Sequence, residues 1–156
     1  MNPDIQAGLA RLQQGLIDEI ASNGWSTVTC FASETEPGFT YTVGLSGQGL
    51  PEIIVFGLPP ETARGVLQAS VNRAKEAGSL AVDTPVDRIF ANAPAYFRAI
   101  PANAAKVYLR FACGIAGAVV ITVKLIWPDE AGVFPWDSKF SARLRPTQPL
   151  LCAAAH

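Results

Sequence analysis

The chain carries a single histidine, His156, at its last position. A Ser-His-Asp triad, a Cys-His pair or a histidine metal site would each need that terminal residue to fold back into a pocket, so these chemistries are not expected. Its three cysteines, Cys30, Cys113 and Cys152, form no CxxC or other metal-ligand spacing. Their odd number argues against a closed disulfide framework. Charge is also scarce: 16% of residues are Asp, Glu, Lys or Arg, against roughly 25% in typical domains. A net charge of −1 gives no general attraction to nucleic acid or anionic lipid. Met1-Asn2-Pro3-Asp4 lacks the basic n-region of a signal peptide, so a cytoplasmic protein is expected. The longest apolar candidate, residues 107–127, is interrupted by Arg110 and Lys124. Its uninterrupted part, 111–123, is shorter than the ~20 residues of a membrane span. No phosphate-binding P-loop occurs. Gly47-Gln48-Gly49 lacks the third glycine and following helix of a dinucleotide fingerprint. Gly44-Leu45-Ser46-Gly47-Gln48 lacks the closing glycine of a nucleophile elbow. Both read as one tight turn between strands, where glycine allows positive φ.

What the chain has in quantity is apolar residue, 49% of 156. That length suits one domain, 1–156, able to bury roughly two thirds of its unfolded surface without metal or disulfide. Ile5, Leu9, Leu12, Leu16, Ile17 and Ile20 recur at helical spacing and predict a helix over 4–22, stopped at Asn23-Gly24. Residues 25–31, 39–45 and 51–58 predict three strands in an antiparallel meander, the third apolar on both faces after Glu52. Pro59-Pro60-Glu61-Thr62 opens a second helix that runs to Ala77 before Gly78. Residues 96–100 predict a short strand. Asn103 can cap a third helix over 104–113, and 118–127 is the main C-terminal strand. The order predicts an α+β fold: a mainly antiparallel sheet of five or six strands, or a small barrel closed by them, with about three packed helices.

Charge is unevenly divided. Residues 1–87 carry four basic and ten acidic side chains, and residues 88–156 carry eight basic and three acidic. Either the halves interleave and the charges mix, or Arg88, Arg98, Lys106, Arg110, Lys124, Arg143 and Arg145 form a basic face toward an anionic ligand.

The candidate site residues gather on turns and strand ends. Asp129, Glu130 and Asp137 lie close together and could hold a hard cation or divide acid and base roles. Pro128-Asp129-x-x-Gly132 is equally ordinary turn chemistry, in which Asp bonds nearby backbone amides. Trp127, Phe134 and Trp136 form either a stacking platform or the lid of a core. Lys124, inside an apolar strand, either snorkels at a sheet edge or meets an acid or anion. Arg98 poses the same question, and pairing with an acid answers both.

Three segments carry a family resemblance: Gly24-Trp25 with Phe39-Thr40-Tyr41-Thr42-Val43-Gly44-Leu45, then 49–58 (GLPEIIVFGL), then 125–137 (LIWPDEAGVFPWD). Together they make the chain resemble the bacterial domain-of-unknown-function family DUF4262 over about residues 15–151. The resemblance implies a shared fold unit and assigns no reaction. Members of that family often carry His near the Gly-Trp or before the Pro-Glu, where this chain has Asn23 and Leu50.

The reading is therefore a binding module. A pocket between Tyr41, Glu52, Trp127 and Trp136, with Arg98, Lys124, Asp129 and Asp137 beside it, would take a small ligand or peptide. The alternatives are an enzyme using carboxylates or a bound flavin or metal in that pocket, and a protein-interaction or defence-related inhibitor. A homo-oligomer is compatible with the low surface charge.

Overall fold

The computed structural model describes residues 2–149 and 151. The sole histidine and Cys152 lie outside them. Helix α1 spans Pro3–Asn23, with the Asn2 side chain accepting the Asp4 amide at its start and Gly24 (φ 92°) closing it. Strands β1 (Ser26–Cys30), β2 (Phe39–Val43) and β3 (Glu52–Phe56) follow as the expected antiparallel meander. Helix α2 is Pro60–Ala77 and β4 is Tyr96–Ala99. The predicted third helix is two, α3 (Ala102–Tyr108) and α4 (Arg110–Ala116). Leu109 (φ −99°, ψ 53°) breaks them and is fully buried. Nor does Asn103 cap α3, which begins after Pro101 without a side-chain cap. Strand β5 is Thr122–Ile126.

The sheet order is β1-β2-β3-β5-β4. Three neighbouring pairs are antiparallel, and β3 and β5 run parallel, with Glu52 opposite Thr122 and Ile54 opposite Lys124. Among the described residues the sheet has five strands, within the expected number; it is mixed rather than antiparallel throughout, and open rather than a barrel, which corrects the expectation. The parallel pair follows from connectivity. The chain leaves β3, passes through α2, β4, α3 and α4, and re-enters beside β3 in the same direction, as a long crossover permits and a hairpin does not. β3 is central, which is why it is apolar on both faces.

The two faces carry separate cores. Ile53, Val55, Val123, Leu125 and Phe97 pack with Leu67 and Val71 of α2. Tyr41, Val43, Ile54 and Phe56 pack with Leu109 and Ala112, joined by Ile20 at the end of α1. Alternation along the expected strand 39–45 would put Leu45 with Phe39, Tyr41 and Val43; β2 ends at Val43 and Leu45 joins the α2 side.

A last segment, including a single 3-10 turn at Arg145–Thr147, lies over the end of β3. Gly57 (φ 79°) sits there so tightly that a Cβ would come within 2.8 Å of the Thr147 backbone oxygen and Cβ. Gly57→Ala is expected to destabilise the fold by about 1–3 kcal/mol, measured as a lower urea midpoint. An unchanged midpoint would show that the 145–147 turn does not clamp β3.

Candidate functional site

Glu52 is the most demanding residue of the fold. It opens β3 with 0% of its surface exposed. Its Oε1 accepts the Thr42 hydroxyl at 2.7 Å and the Leu45 amide at 3.3 Å. Its Oε2 accepts the Ser46 amide at 3.0 Å and the Gly44 amide at 3.2 Å. Burial pushes its carboxyl pKa up, and these hydrogen bonds pull the other way. The Thr42 hydroxyl also accepts the Ile53 amide at 2.9 Å, so a side chain replaces a ladder bond where β2 and β3 part. The result is a rigid turn over 44–51. Gly44 (φ 106°) allows its reversal, and its Cα lies against Ile20, where an added Cβ would be 3.0 Å from the side chain.

Beside this turn lies an apolar cleft of about 540 Å³. The turn itself (Leu50, Pro51), the chain after α2 (Leu80, Val82) and the chain before β5 (Val119, Ile121) form its walls. Among the described residues, none of its lining side chains is ionisable. Val82 and Val119 are exposed at its rim, and Ile121 is 80% exposed. The strand expected from residue 118 starts only at Thr122; of the preceding residues, Ile121 still accepts the Glu52 amide at 2.9 Å, while its side chain and that of Val119 line this cleft. The cleft receives the C-terminal end of α2 at Gly78 and of α4 at Ala116. Helix C-termini carry partial negative charge and disfavour anions.

The residues expected to make one pocket are dispersed. Glu52 starts β3, whereas Trp127 follows the end of β5. These strands run in parallel register, which puts the two residues about 16 Å apart along the sheet. Trp127 belongs to the α2-side core. Its Nε1 donates to the Phe56 carbonyl at 2.7 Å, and the Gln148 side chain bonds its backbone on both sides. It is a core lid. Tyr41 is buried too, its hydroxyl accepting the Phe111 amide at 3.2 Å, and burial pushes its pKa up to about 12.

Arg98, Lys124 and Trp136 do come together. Arg98 pairs with Lys124 in register on the face opposite Phe97. Its guanidinium lies 5.8 Å from the Trp136 ring centre, and its Nε donates to Asp83 at 2.8 Å. Trp136 stacks on Phe134 (4.9 Å, 5°) with Tyr96 edge-on to both. Lys124 is 3% exposed in a central strand, so it does not snorkel at an edge; its Nζ donates to the Pro149 carbonyl at 2.5 Å. The charged halves interleave: Arg88 meets Glu76 and Arg98 meets Asp83, while Arg143 pairs with Glu130.

The acids of the 129–137 turn organise backbone. Asp129 Oδ1 accepts the Ala131 and Val133 amides at 2.9 and 3.0 Å, and Oδ2 accepts the Ser141 amide at 3.0 Å. The Val133 bond, with those from Ser141 and Ala131, holds its pKa below the ordinary value of 3.8. Asp137 Oδ1 accepts the Lys139 amide at 2.9 Å. Among the described residues, no three His, Cys, Asp or Glu side chains are grouped as a metal site. Sequence reasoning missed Tyr96 as the third ring of the Trp136 cluster and missed the cleft altogether. The cleft's signal was the β-branched run 119–121, read as strand.

The fold defines an open mixed sheet covered by helices on both faces. The chain belongs to the domain-of-unknown-function family DUF4262, whose model matches residues 19–141. No curated protein and no solved structure matches the chain. Among the described residues, no helix is long and apolar enough to cross a membrane.

Two variants test the roles assigned to polar groups. Thr42→Val keeps side-chain shape but leaves the Ile53 amide and the Glu52 carboxylate each short of a partner. A loss of about 1–3 kcal/mol is expected in urea unfolding, and a loss below about 0.5 kcal/mol would refute the role. For Asp129, a folded pKa below the unfolded 3.8 makes its contribution complete above that value and lost as pH falls through the folded one. Asp129→Asn should therefore lower the melting temperature at neutral pH, with the gap closing in acid. A gap that persists to about pH 2 would mean the amide bonds are unimportant.

Proposed function

We propose that this protein is a binding module whose ligand seats in the cleft between the Glu52-held turn and residues 119–121. The observation that carries this reading is an apolar cavity of about 540 Å³ with an 80% exposed isoleucine, Ile121, on its rim. A ligand-sized apolar concavity on rigid walls is the usual form of a small-molecule site. The ligand class is an apolar chain or ring system with a neutral or cationic head, since two helix C-termini meet there and no basic side chain among the described residues lines it.

A second reading places a flat ligand on Tyr96, Phe134 and Trp136 beside Arg98. The stacked pair and the guanidinium near it favour this one. The sequence-derived carboxylate enzyme has less support, because Glu52 is enclosed and Asp129 and Asp137 bond the backbone of their own loop.

Isothermal titration with aliphatic alcohol, amine and carboxylate probes of about ten carbons tests the cleft, each buried methylene contributing about 0.8 kcal/mol. Alcohol and amine should bind more tightly than carboxylate, and Ile121→Glu should weaken the alcohol about tenfold or more without changing the melting curve. Loss in Trp136→Ala with no effect of Ile121→Glu would move the site to the aromatic cluster. No binding of any probe would reject the cleft.

A further inference from the structure

Helix α1 has a stripe of large apolar residues that the described residues of the chain leave exposed. Ile5 is 56% exposed and Leu12 61%, and Leu9 is exposed as well. Leu16 is half-buried, and Ile20 alone reaches a core. No residue of α1 is fully buried. A helix needs tertiary packing of its apolar face to be stable, and here only the C-terminal end of α1 receives it.

We propose that a second copy of this chain covers the stripe, the two α1 helices pairing antiparallel about a twofold axis. Three features of α1 select this occupant. The spacing 5, 9, 12, 16 is that of a coiled-coil seam and is symmetric about its centre. Reversing the helix superposes Ile5 on Leu16 and Leu9 on Leu12, so the stripe is complementary to itself, as a twofold interface requires. Ile5, Gly8, Leu9 and Leu12 also frame a shallow groove. These four positions, i, i+3, i+4 and i+7, are the hole of knobs-into-holes packing. Gly8 leaves its floor open, since an added Cβ would meet only the end of the Arg11 side chain at 3.9 Å. In the antiparallel pair the partner's Leu12 drops into it, and the symmetric contact follows.

The third feature is charge. The flanking positions are Gln6 and Gln13 on one side and Gly8 and Gly15 on the other, none of them charged; Arg11, which also lines the groove, is the charge nearest the seam. A parallel pair would instead set Glu19, the next seam position, against its own copy. The stripe's other charges are Asp4, Asp18 and a single base, Arg11, which disfavours an anionic membrane surface.

Two faces about 18 Å long and 10 Å wide cover only roughly 180 Å² each, well below the ~1,200 Å² of a standard interface, so the dimer should be weak and form only with concentration. Sedimentation equilibrium from about 1 to about 200 µM should approach about 33 kDa, twice the 16.5 kDa chain mass. Leu9→Asp with Leu12→Asp should stay at 16.5 kDa with unchanged near-ultraviolet circular dichroism. Orientation is read by cross-linking, with Cys30, Cys113 and Cys152 replaced by Ser. Gln6→Cys with Gln13→Cys should form an interchain disulfide under mild oxidation, and either substitution alone should not. Within one helix these positions are about 10.5 Å apart, too far to bridge. A wild type monomeric throughout, a dimer indifferent to the two aspartates, or no cross-link in the double cysteine variant would each overturn the proposal. So would a monomer that floats with neutral lipid vesicles, which would give the stripe to a lipid surface.

Discussion

The constraint on which the rest of the structure depends is the enclosure of the Glu52 carboxylate. A carboxyl group withdrawn from water is costly unless its oxygens are hydrogen-bonded. Here four donors, three of them consecutive amides of one turn, converge on it. The arrangement explains why the chain can place an acid at the mouth of its central strand. It also explains why β2 and β3 separate at Thr42: the hydroxyl accepts the Ile53 amide in place of one ladder bond and donates its own hydrogen bond to the carboxylate. The same geometry engages both oxygens of Glu52, and no face of the side chain reaches solvent.

The opposite end of the sheet is closed by a different device. The parallel β3–β5 pair leaves backbone groups of Phe56 and Trp127 at its end, and these are satisfied by side chains. The Trp127 indole takes the Phe56 carbonyl, and the buried Gln148 amide bonds the Trp127 amide and carbonyl together. For that to happen residues 128–147 must loop back compactly. Asp129 achieves this by tying Val133 and Ser141 to one carboxylate. The tight passage of Thr147 over Gly57 completes the closure. The aromatic, acidic segment that stands out in the sequence is thus mostly the machinery that returns the chain to the sheet end.

Elements with strong local signals were legible without coordinates: α1, the β1–β2–β3 meander and α2 fall within about two residues of where periodicity, proline and glycine place them. The parallel neighbour of β3 was not, because pairing between β3 and β5 depends on a crossover of more than sixty residues and leaves no local pattern. The break at Leu109 was hidden for a related reason: a buried leucine in helical spacing looks the same whether the helix continues or restarts. For the candidate residues the difficulty was chemical. Glu52 and Lys124 are polar groups inside apolar strands, and such groups are satisfied either by ligands or by the protein's own backbone. Sequence shows the anomaly but not the partner: Glu52 is bonded to the amides of the turn just before its strand, and Lys124 to a carbonyl 25 residues on. The cleft was missed because exposed β-branched residues next to a strand look like more strand.

The scarcity of charge has a structural counterpart in two apolar surfaces, and the Glu52 turn touches the elements that bear both. On one side Gly44 packs against Ile20 and the Gly24 carbonyl at the end of α1, and Gln48 donates to that same carbonyl at 2.6 Å. On the other side Ser46, Gly49 and Leu50 form a wall of the cleft. The turn cannot shift toward one without disturbing its amides on the carboxylate, so it acts as a fixed post between helix and cleft. Coupling between two sites needs an element with two arrangements that both ligands bias. A turn pinned by three amide bonds to a buried acid is not such an element, so the proposed pairing of α1 and the proposed occupation of the cleft are expected to be independent of each other.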